Sequence, residues 1–201
     1  MNRSRGPTLL LLSTPILVFG YLCLRAALLS FTHDESLSYF IIAGRGSVWH
    51  SANNHLLNSL LMWIAKKLFG SGELSLRLPN LLAFPVYAGS CYVILRRGVS
   101  EPAPRLAAAA GLVVLTTNPF LLDFFALARG YGLAMTCMTA GLAIFIAATG
   151  DGGPLSGRAV FLTLVLAGLA VLAHFTLLYY YLALLLVTAL LTRIRSGSDT
   201  A

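Results

Sequence analysis

Acidic residues are scarce in this sequence. Only 7 Asp and Glu occur among 201 residues, and charged residues of both signs make up 10% of the chain. Ordinary soluble domains carry about 25% charged residues, so the composition argues against a typical soluble protein. Hydrophobic residues account for 58% of the chain, which is typical of a membrane protein.

The sequence also lacks the cysteine pattern of a disulfide-rich or metal-binding scaffold. Cys23, Cys91 and Cys137 lie far apart, each inside an apolar segment, where cysteine behaves as a small buried hydrophobe. The net charge of +7 does not predict nucleic-acid binding, because the basic residues are scattered between apolar runs and form no basic cluster. We therefore expect no nucleic-acid partner.

The sequence contains several long apolar runs. A membrane helix needs about 20 apolar residues, within a range of about 17–25. The first run, Pro7 to Phe31, is too long for the core of a signal peptide and is interpreted as a retained span. Further spans are predicted at 74–95, 106–117 and 130–148, and two more, joined by a tight turn near His174, at 159–191.

Between the first and second spans lies a long segment, Thr32 to Glu73, with two shorter helical patterns. One covers Asp34 to Ile42, and the other places leucines at helical spacing from Leu56 to Leu68. Both are too short or too charged to cross a membrane, so they are predicted to lie in the interface plane. The fold class is therefore an all-α membrane protein, a single domain over 1–201 with about six transmembrane and two interfacial helices.

Basic residues predict the orientation, because cytoplasmic loops hold an excess of Arg and Lys. With the N-terminus inside, eight basic residues fall in inside loops and five in outside segments. We therefore expect a multi-pass protein of the plasma (inner) membrane with a cytoplasmic N-terminus. The segment 32–73, the segment 118–129 and the turn at His174 are then extracytoplasmic.

Four stretches carry a resemblance to a known family. They are THDE (32–35), NNHLLNSLL (53–61), GELSLRLPNLLAF (72–84) and ALARGYGLAM (126–135). Over Leu9 to Arg195 the chain resembles the N-terminal half of the GT-C superfamily of polytopic glycosyltransferases. The likeness is to the branch with protein O-mannosyltransferases and lipid A aminoarabinose transferases. One departure is that leucines follow His55 where that family often has prolines.

The resemblance implies inverting transfer of a sugar from a polyprenyl-phosphate donor to an extracytoplasmic acceptor. Asp34 matches the family's catalytic acid and is the expected general base, with Glu35 as a second catalytic residue that orients the acceptor or a metal. Residues expected to bind the donor phosphate or the substrate are His55, Asn54, Arg129, Tyr131, His174 and Lys66. Family members are longer, so we expect a fragment, a degenerate relative, or half of an enzyme completed by a second chain.

Each of these residues also has a purely structural interpretation. Asp34 can cap a helix, and Glu35 can favour a helix N-terminus through the macrodipole. The other structural alternatives are capping by Asn54, a lipid-headgroup anchor at Lys66, a packing role for His174, and the ion pairs Asp123–Arg129 and Glu73–Arg77. Membrane lipids are expected partners in either case.

No cofactor is expected, because the sequence shows no metal-ligand spacing. His33, Asp34, Glu35 and His55 could converge on Mg²⁺ or Mn²⁺, which favour such oxygen-rich ligand sets. The main rival function is a non-catalytic membrane subunit that keeps the fold. A transporter is a weaker rival, because the sequence has no inverted repeat with broken helices.

Overall fold

The computed structural model describes residues 5–45, 55–98, 104–150 and 155–198. Within these ranges the chain is helical and contains no β-strand, which confirms the predicted all-α class. The helices, in chain order, are α1 Arg5–Leu28, α2 His33–Ile42, α3 Leu56–Phe69, α4 Glu73–Gly98, α5 Pro104–Thr116, α6 Pro119–Ala126, α7 Gly130–Thr149, α8 Gly157–Ala173 and α9 Leu178–Ser198.

Four of these helices are long and apolar enough to cross a membrane. They are α1 from Leu9, α4, α7 and the stretch Phe175–Arg195, which includes α9. Helices α5 and α6 make a fifth candidate if the pair, bent by 64°, counts as one span. Helix α8 is apolar but has only 17 residues. The described chain thus has four or five candidate spans where the sequence predicted about six.

Helix α6 is an element that the sequence analysis did not anticipate. Helix α5 stops at Thr116, and the Asn118 side chain then accepts a hydrogen bond from the Phe120 N–H at 3.0 Å. Pro119 occupies the first helical turn, where its missing N–H costs nothing. Asparagine followed by proline is therefore the start signal of α6, but eight residues are too few to give a clear apolar period.

The hydrophobic core lies between α1, α4, α5, α6 and α7. Its largest members, Leu22, Phe84, Tyr87 and Phe125, are almost completely buried. Small residues let α7 and α8 approach closely, and the Thr163 hydroxyl donates to the Gly141 carbonyl across that contact at 3.4 Å. Helices α1 and α9 are the least buried of the long helices and present apolar side chains outward, as lipid-facing helices do.

The two predicted interfacial helices form as α2 and α3. Helix α2 begins with a reciprocal cap, in which the Thr32 hydroxyl accepts from the Glu35 N–H and the Glu35 carboxylate accepts from the Thr32 N–H. It ends before Gly44, whose φ of +74° is a conformation that glycine adopts without strain. The interruption that the sequence places after Ile42 therefore begins here.

Candidate functional site

Polar side chains from several helices converge at one end of the bundle. At this end α1 and α8 finish while α2, α3, α4 and α7 begin. We call this cluster the polar end; its members are Asp34, Glu35, His55, Asn58, Arg77, Arg129, Tyr131 and His174. The structure thus brings together most of the predicted site residues.

Glu35 and Arg77 form a completely buried ion pair, here called the closed pair. Both side chains are 0% exposed, and two bonds of 2.7 Å join the guanidinium Nε and Nη2 to the two carboxylate oxygens. The backbone N–H groups of Ala128 and Thr32 donate to the same carboxylate at 2.7 and 2.9 Å. Glu35 therefore accepts four hydrogen bonds, two of them in the bidentate geometry that arginine favours.

The other side of the Arg77 guanidinium caps helix α1. Its Nη1 donates to the carbonyls of Ala26 and Leu29 at 2.7 Å, and its Nη2 donates to Ser30 at 3.2 Å. Carbonyls at a helix C-terminus have no partner within the helix, so a buried cation satisfies them well. The proposed pairing of Arg77 with Glu73 is secondary, because that carboxylate is half exposed and 3.8 Å away.

The environment of Glu35 keeps its carboxylate ionised. Burial alone raises its pKa, but hydrogen bonds from Arg77, Ala128 and Thr32, together with the Arg77 charge, outweigh burial and leave the pKa lowered. The geometry makes Glu35 a positioning residue, since its oxygens are already engaged by the protein. Its catalytic assignment stays a prediction.

Asp34 and Arg129 form a second ion pair, here called the open pair. The Asp34 side chain is 63% exposed, whereas the Arg129 side chain is 3% exposed. Their charged groups are 3.4 Å apart, and Arg129 Nη1 also donates to the backbone carbonyl of Asp34 at 3.0 Å. The Asp34 carboxylate is therefore fixed by a buried cation and still open to a molecule approaching from outside.

The alternative ion pair between Asp123 and Arg129 is wrong. Helix α6 directs Asp123 toward α1, where its carboxylate forms a short ion pair with Arg25. Arg129 instead precedes α7 and reaches back to α2. Asp123 lies in helix α6, which the sequence analysis did not predict.

Three rings pack together beside the open pair. His55 is buried, and its ring centroid lies 5.1 Å from that of Tyr131 and 5.0 Å from that of His174. The His55 Nδ1 is 2.7 Å from the carbonyl oxygen of Ala173, which joins the start of α3 to the end of α8. Burial, reinforced by the nearby charge of Arg129, lowers the pKa of His55 to about 4 and also lowers that of His174.

Gly130 makes this close arrangement possible. A Cβ atom at this position would lie 2.1 Å from the Ala173 carbonyl oxygen and 2.7 Å from the His55 Cβ. Those distances are far inside van der Waals contact, so any larger residue would push α7 away from α3 and α8. The glycine sits directly between Arg129 and Tyr131 in sequence, and the Tyr131 ring lies beside both the His55 ring and the Arg129 guanidinium.

Two asparagines extend the polar end into the bundle, and the sequence analysis assigned neither of them a role. Asn58 Nδ2 donates to the Ala128 carbonyl at 3.0 Å, and Asn80 Nδ2 donates to Asn58 Oδ1 at 2.8 Å. Ala128 is thus held at its N–H by Glu35 and at its carbonyl by Asn58. The available signal was polar residues at buried positions of apolar helices, which usually face a polar interior.

The remaining predicted residues lie elsewhere. Lys66 places its Nζ 5.0 Å from the Tyr39 ring centroid, in a cation–π contact between α3 and α2. Asn54 lies outside the described residues. The suggested convergence of His33, Asp34, Glu35 and His55 does not form, and nowhere in the described ranges do three His, Cys, Asp or Glu side chains come together as metal ligands.

Comparison of the chain with protein-family models, with curated proteins and with solved structures finds no match in any of the three. The function is therefore argued from the geometry of the polar end and from the resemblance that the four sequence stretches carry. What the described chain establishes on its own is a helical protein with several apolar helices able to span a membrane, and a polar cluster at one end.

Proposed function

We propose that this chain is a GT-C-type membrane glycosyltransferase, or part of one. It transfers a sugar from a polyprenyl-phosphate donor to an extracytoplasmic acceptor with inversion at the sugar carbon. The observation that supports this proposal best is the open pair: an exposed carboxylate beside a buried arginine, at the end of a bundle of apolar helices. Such a place is accessible both to a lipid-borne donor and to an acceptor in water.

Asp34 is the general base in this mechanism. Its carboxylate takes the proton of the acceptor hydroxyl while the hydroxyl oxygen forms a bond to the sugar carbon and the bond to the phosphate oxygen breaks. A positioned base typically contributes about 10²–10⁴-fold to the rate. The bond from Arg129 to the Asp34 backbone carbonyl holds the base in place, and its 63% exposed side chain leaves room for the acceptor.

Arg129 stabilises the phosphate leaving group. Negative charge grows on the phosphate as the sugar departs, and a preorganised cation at that point lowers the barrier. A guanidinium can bind two phosphate oxygens at once, and each Nη of Arg129 carries a second N–H besides the one directed at Asp34. His174 lies at the same end, half-buried, with its ring 4.8 Å from that of Tyr131.

The proposal includes six membrane crossings and a cytoplasmic N-terminus. Helix α8 is the sixth crossing, because it leads from the end of α7 at Thr149 back to the polar end at His174. Its 17 residues span about 26 Å, close to the hydrocarbon thickness of about 30 Å. Arg195 donates to the Thr149 carbonyl at 2.9 Å, so this arginine lies at the opposite end, as the orientation requires.

The test is donor consumption by the purified protein in lipid nanodiscs. The protein is incubated with a panel of labelled polyprenyl-phosphate sugars, with a lysate-derived acceptor fraction present. We expect the wild type to consume one donor and Asp34→Asn to lose about 10²–10⁴-fold of that rate, because the amide cannot accept the proton. Glu73→Gln is the matched control, since Glu73 is also exposed but lies outside the open pair.

Full activity in Asp34→Asn would contradict the base assignment. The second candidate is a non-catalytic subunit that keeps the fold, and the ion pairing of Asp34 supports it, because a paired carboxylate also serves a structural purpose. If no donor on the panel is consumed by the wild type, the subunit function is favoured.

A further inference from the structure

Four buried side-chain atoms have no hydrogen-bond partner within the described part of the chain; Arg25 Nε and Asn80 Oδ1 lie away from Tyr131, and the other two belong to side chains that contact its ring. Those two are His55 Nε2 and Arg129 Nε, and their side chains are 4% and 3% exposed. Leaving a buried polar atom unpaired costs about 1–3 kcal/mol, so such atoms call for an explanation. At a candidate binding site, the simplest explanation is a ligand that forms hydrogen bonds with both atoms.

The bond to Ala173 determines which nitrogen of His55 carries the proton. A carbonyl oxygen can only accept a hydrogen bond, so the Nδ1 that lies 2.7 Å from it must be the donor. A neutral imidazole has a single N–H, and Nε2 is therefore left with a lone pair. Burial holds the pKa of His55 at about 4, and the nearby charges of Arg129 and His174 act in the same direction. The ring is neutral at pH 7.

A neutral His55 is poorly suited to the phosphate of a donor. Phosphate oxygens are acceptors, and they would meet another acceptor at Nε2. The atom requires a group that donates a hydrogen bond. Arg129 Nε–H has the opposite requirement, because it is a donor and needs an acceptor.

A hydroxyl group meets both requirements, because it can donate and accept at the same time. The Tyr131 ring contacts both residues. Its centroid is 5.1 Å from the His55 ring centroid and 5.6 Å from Arg129 Cζ. The unpaired acceptor and the unpaired donor therefore belong to side chains that contact the same ring. This ring also offers an apolar face to the carbon skeleton of a hydroxylated ligand.

We infer that His55 Nε2 accepts a hydrogen bond from a hydroxyl of the substrate, with Arg129 Nε donating to an oxygen of the same substrate. This inference rests on the proposed function, and it makes His55 a specificity-determining residue for a sugar hydroxyl instead of a phosphate ligand. The phosphate contact then belongs to the Arg129 Nη groups and to the half-buried His174.

The first test is independent of activity and uses nitrogen NMR. The full chain is labelled with ¹⁵N-histidine in nanodiscs at pH 7, and His55→Asn assigns the resonance of His55 among the 4 histidines. We expect the His55 Nε2 to be unprotonated. Methyl glycosides, as neutral hydroxyl probes, should shift it without adding a proton, and inorganic phosphate should leave it unchanged. Protonation at Nε2, protonation on adding phosphate, or no shift with the glycosides would overturn the inference.

The second test uses the donor consumed in the activity assay and its singly deoxygenated analogues. For one analogue, the wild type should lose about 10–100-fold in kcat/KM, because the missing hydroxyl leaves the buried Nε2 unpaired in the complex. His55→Asn keeps an amide donor for the Ala173 carbonyl but lacks Nε2, so it should treat that analogue and the parent donor alike. His55→Gln, which reaches further, should recover part of the preference.

Unchanged discrimination in His55→Asn would overturn the assignment of the hydroxyl to His55. The two proposals fail separately. If no donor is consumed at all, the proposed function fails, and the NMR result still decides whether Nε2 accepts from a hydroxyl probe.

Discussion

Asp34 and Glu35 are neighbours in sequence, yet their carboxylates have opposite surroundings. Glu35 is fully buried and accepts four hydrogen bonds within the closed pair. Asp34 is 63% exposed, and a single arginine lies 3.4 Å away. Residues adjacent in a helix point in directions about 100° apart, so one faces the bundle and the other faces outward.

The comparison indicates a division of labour between the two pairs. The closed pair has no unused hydrogen-bonding capacity on its carboxylate, which is what a structural contact requires. It also fixes the backbone beside both members of the open pair, because Glu35 follows Asp34 and its bond to Ala128 precedes Arg129. The open pair keeps an exposed oxygen acceptor and an unpaired donor, which is what a binding site requires.

The largest expected effect comes from breaking the closed pair. Glu35→Gln or Arg77→Met should lower the free energy of unfolding by about 3–5 kcal/mol, because each leaves a charge buried without its partner. The measurement is unfolding by SDS titration from mixed micelles. The double variant should lose less unfolding free energy than the sum of the two single variants, since it removes both charges together.

The pH dependence gives this prediction a second measurement. The pKa of Glu35 is lowered below its usual 4.5 in the folded protein, so its contribution is complete above that pH and is lost as the pH falls through the folded value. Glu35→Gln should remove that part of the acid instability. Glu73→Gln is the control and should change the unfolding free energy by less than about 1 kcal/mol. Equal effects of the two glutamine variants would contradict the conclusion that Glu35, unlike Glu73, belongs to a buried stabilising ion pair.

An intermediate effect is expected from Gly130→Ala. The added methyl group would collide with the Ala173 carbonyl and with His55, so we expect a loss of about 1–3 kcal/mol. The same SDS titration measures it. Gly168→Ala in helix α8 is the matched control, because nothing lies within 4 Å of its added Cβ and alanine favours helices by up to about 1 kcal/mol. A Gly130→Ala protein as stable as this control would contradict the close packing of α7 against α3 and α8 at Gly130.

The smallest effect on stability is expected from Asp34→Asn. The amide oxygen of this variant can still accept from Arg129, and the bond from Arg129 to the backbone carbonyl at this position stays. Loss of one largely exposed charge should therefore cost less than about 1 kcal/mol, and the variant should unfold close to the wild type in SDS. Its loss of activity would then separate catalysis from stability. A loss as large as that of Glu35→Gln would instead assign both acids to the structural contact.

Much of the fold follows from patterns that lie within single segments. The apolar runs predicted α1, α4 and α7 closely, and the turn near His174 separates α8 from α9 as expected. The spacing of leucines between 56 and 68 predicted α3. The end of α5 was predicted to within a residue, but helix α6 was missed, and with it the pairing of Asp123 with Arg25, because an eight-residue helix shows too little periodicity.

The sequence by itself determined the helices and the positions of most polar residues, because apolar periodicity, caps and breaks act within a few residues along the chain. Only the tertiary structure decided which charges pair and which atoms stay unpaired. Arg77 reaches Glu35 across 42 positions, and His55 reaches Ala173 across 118. Such pairings depend on how the helices pack. The spacing of Thr32 and Glu35 is a local capping signal, but only packing buries Glu35 against Arg77 and leaves Asp34 exposed beside it.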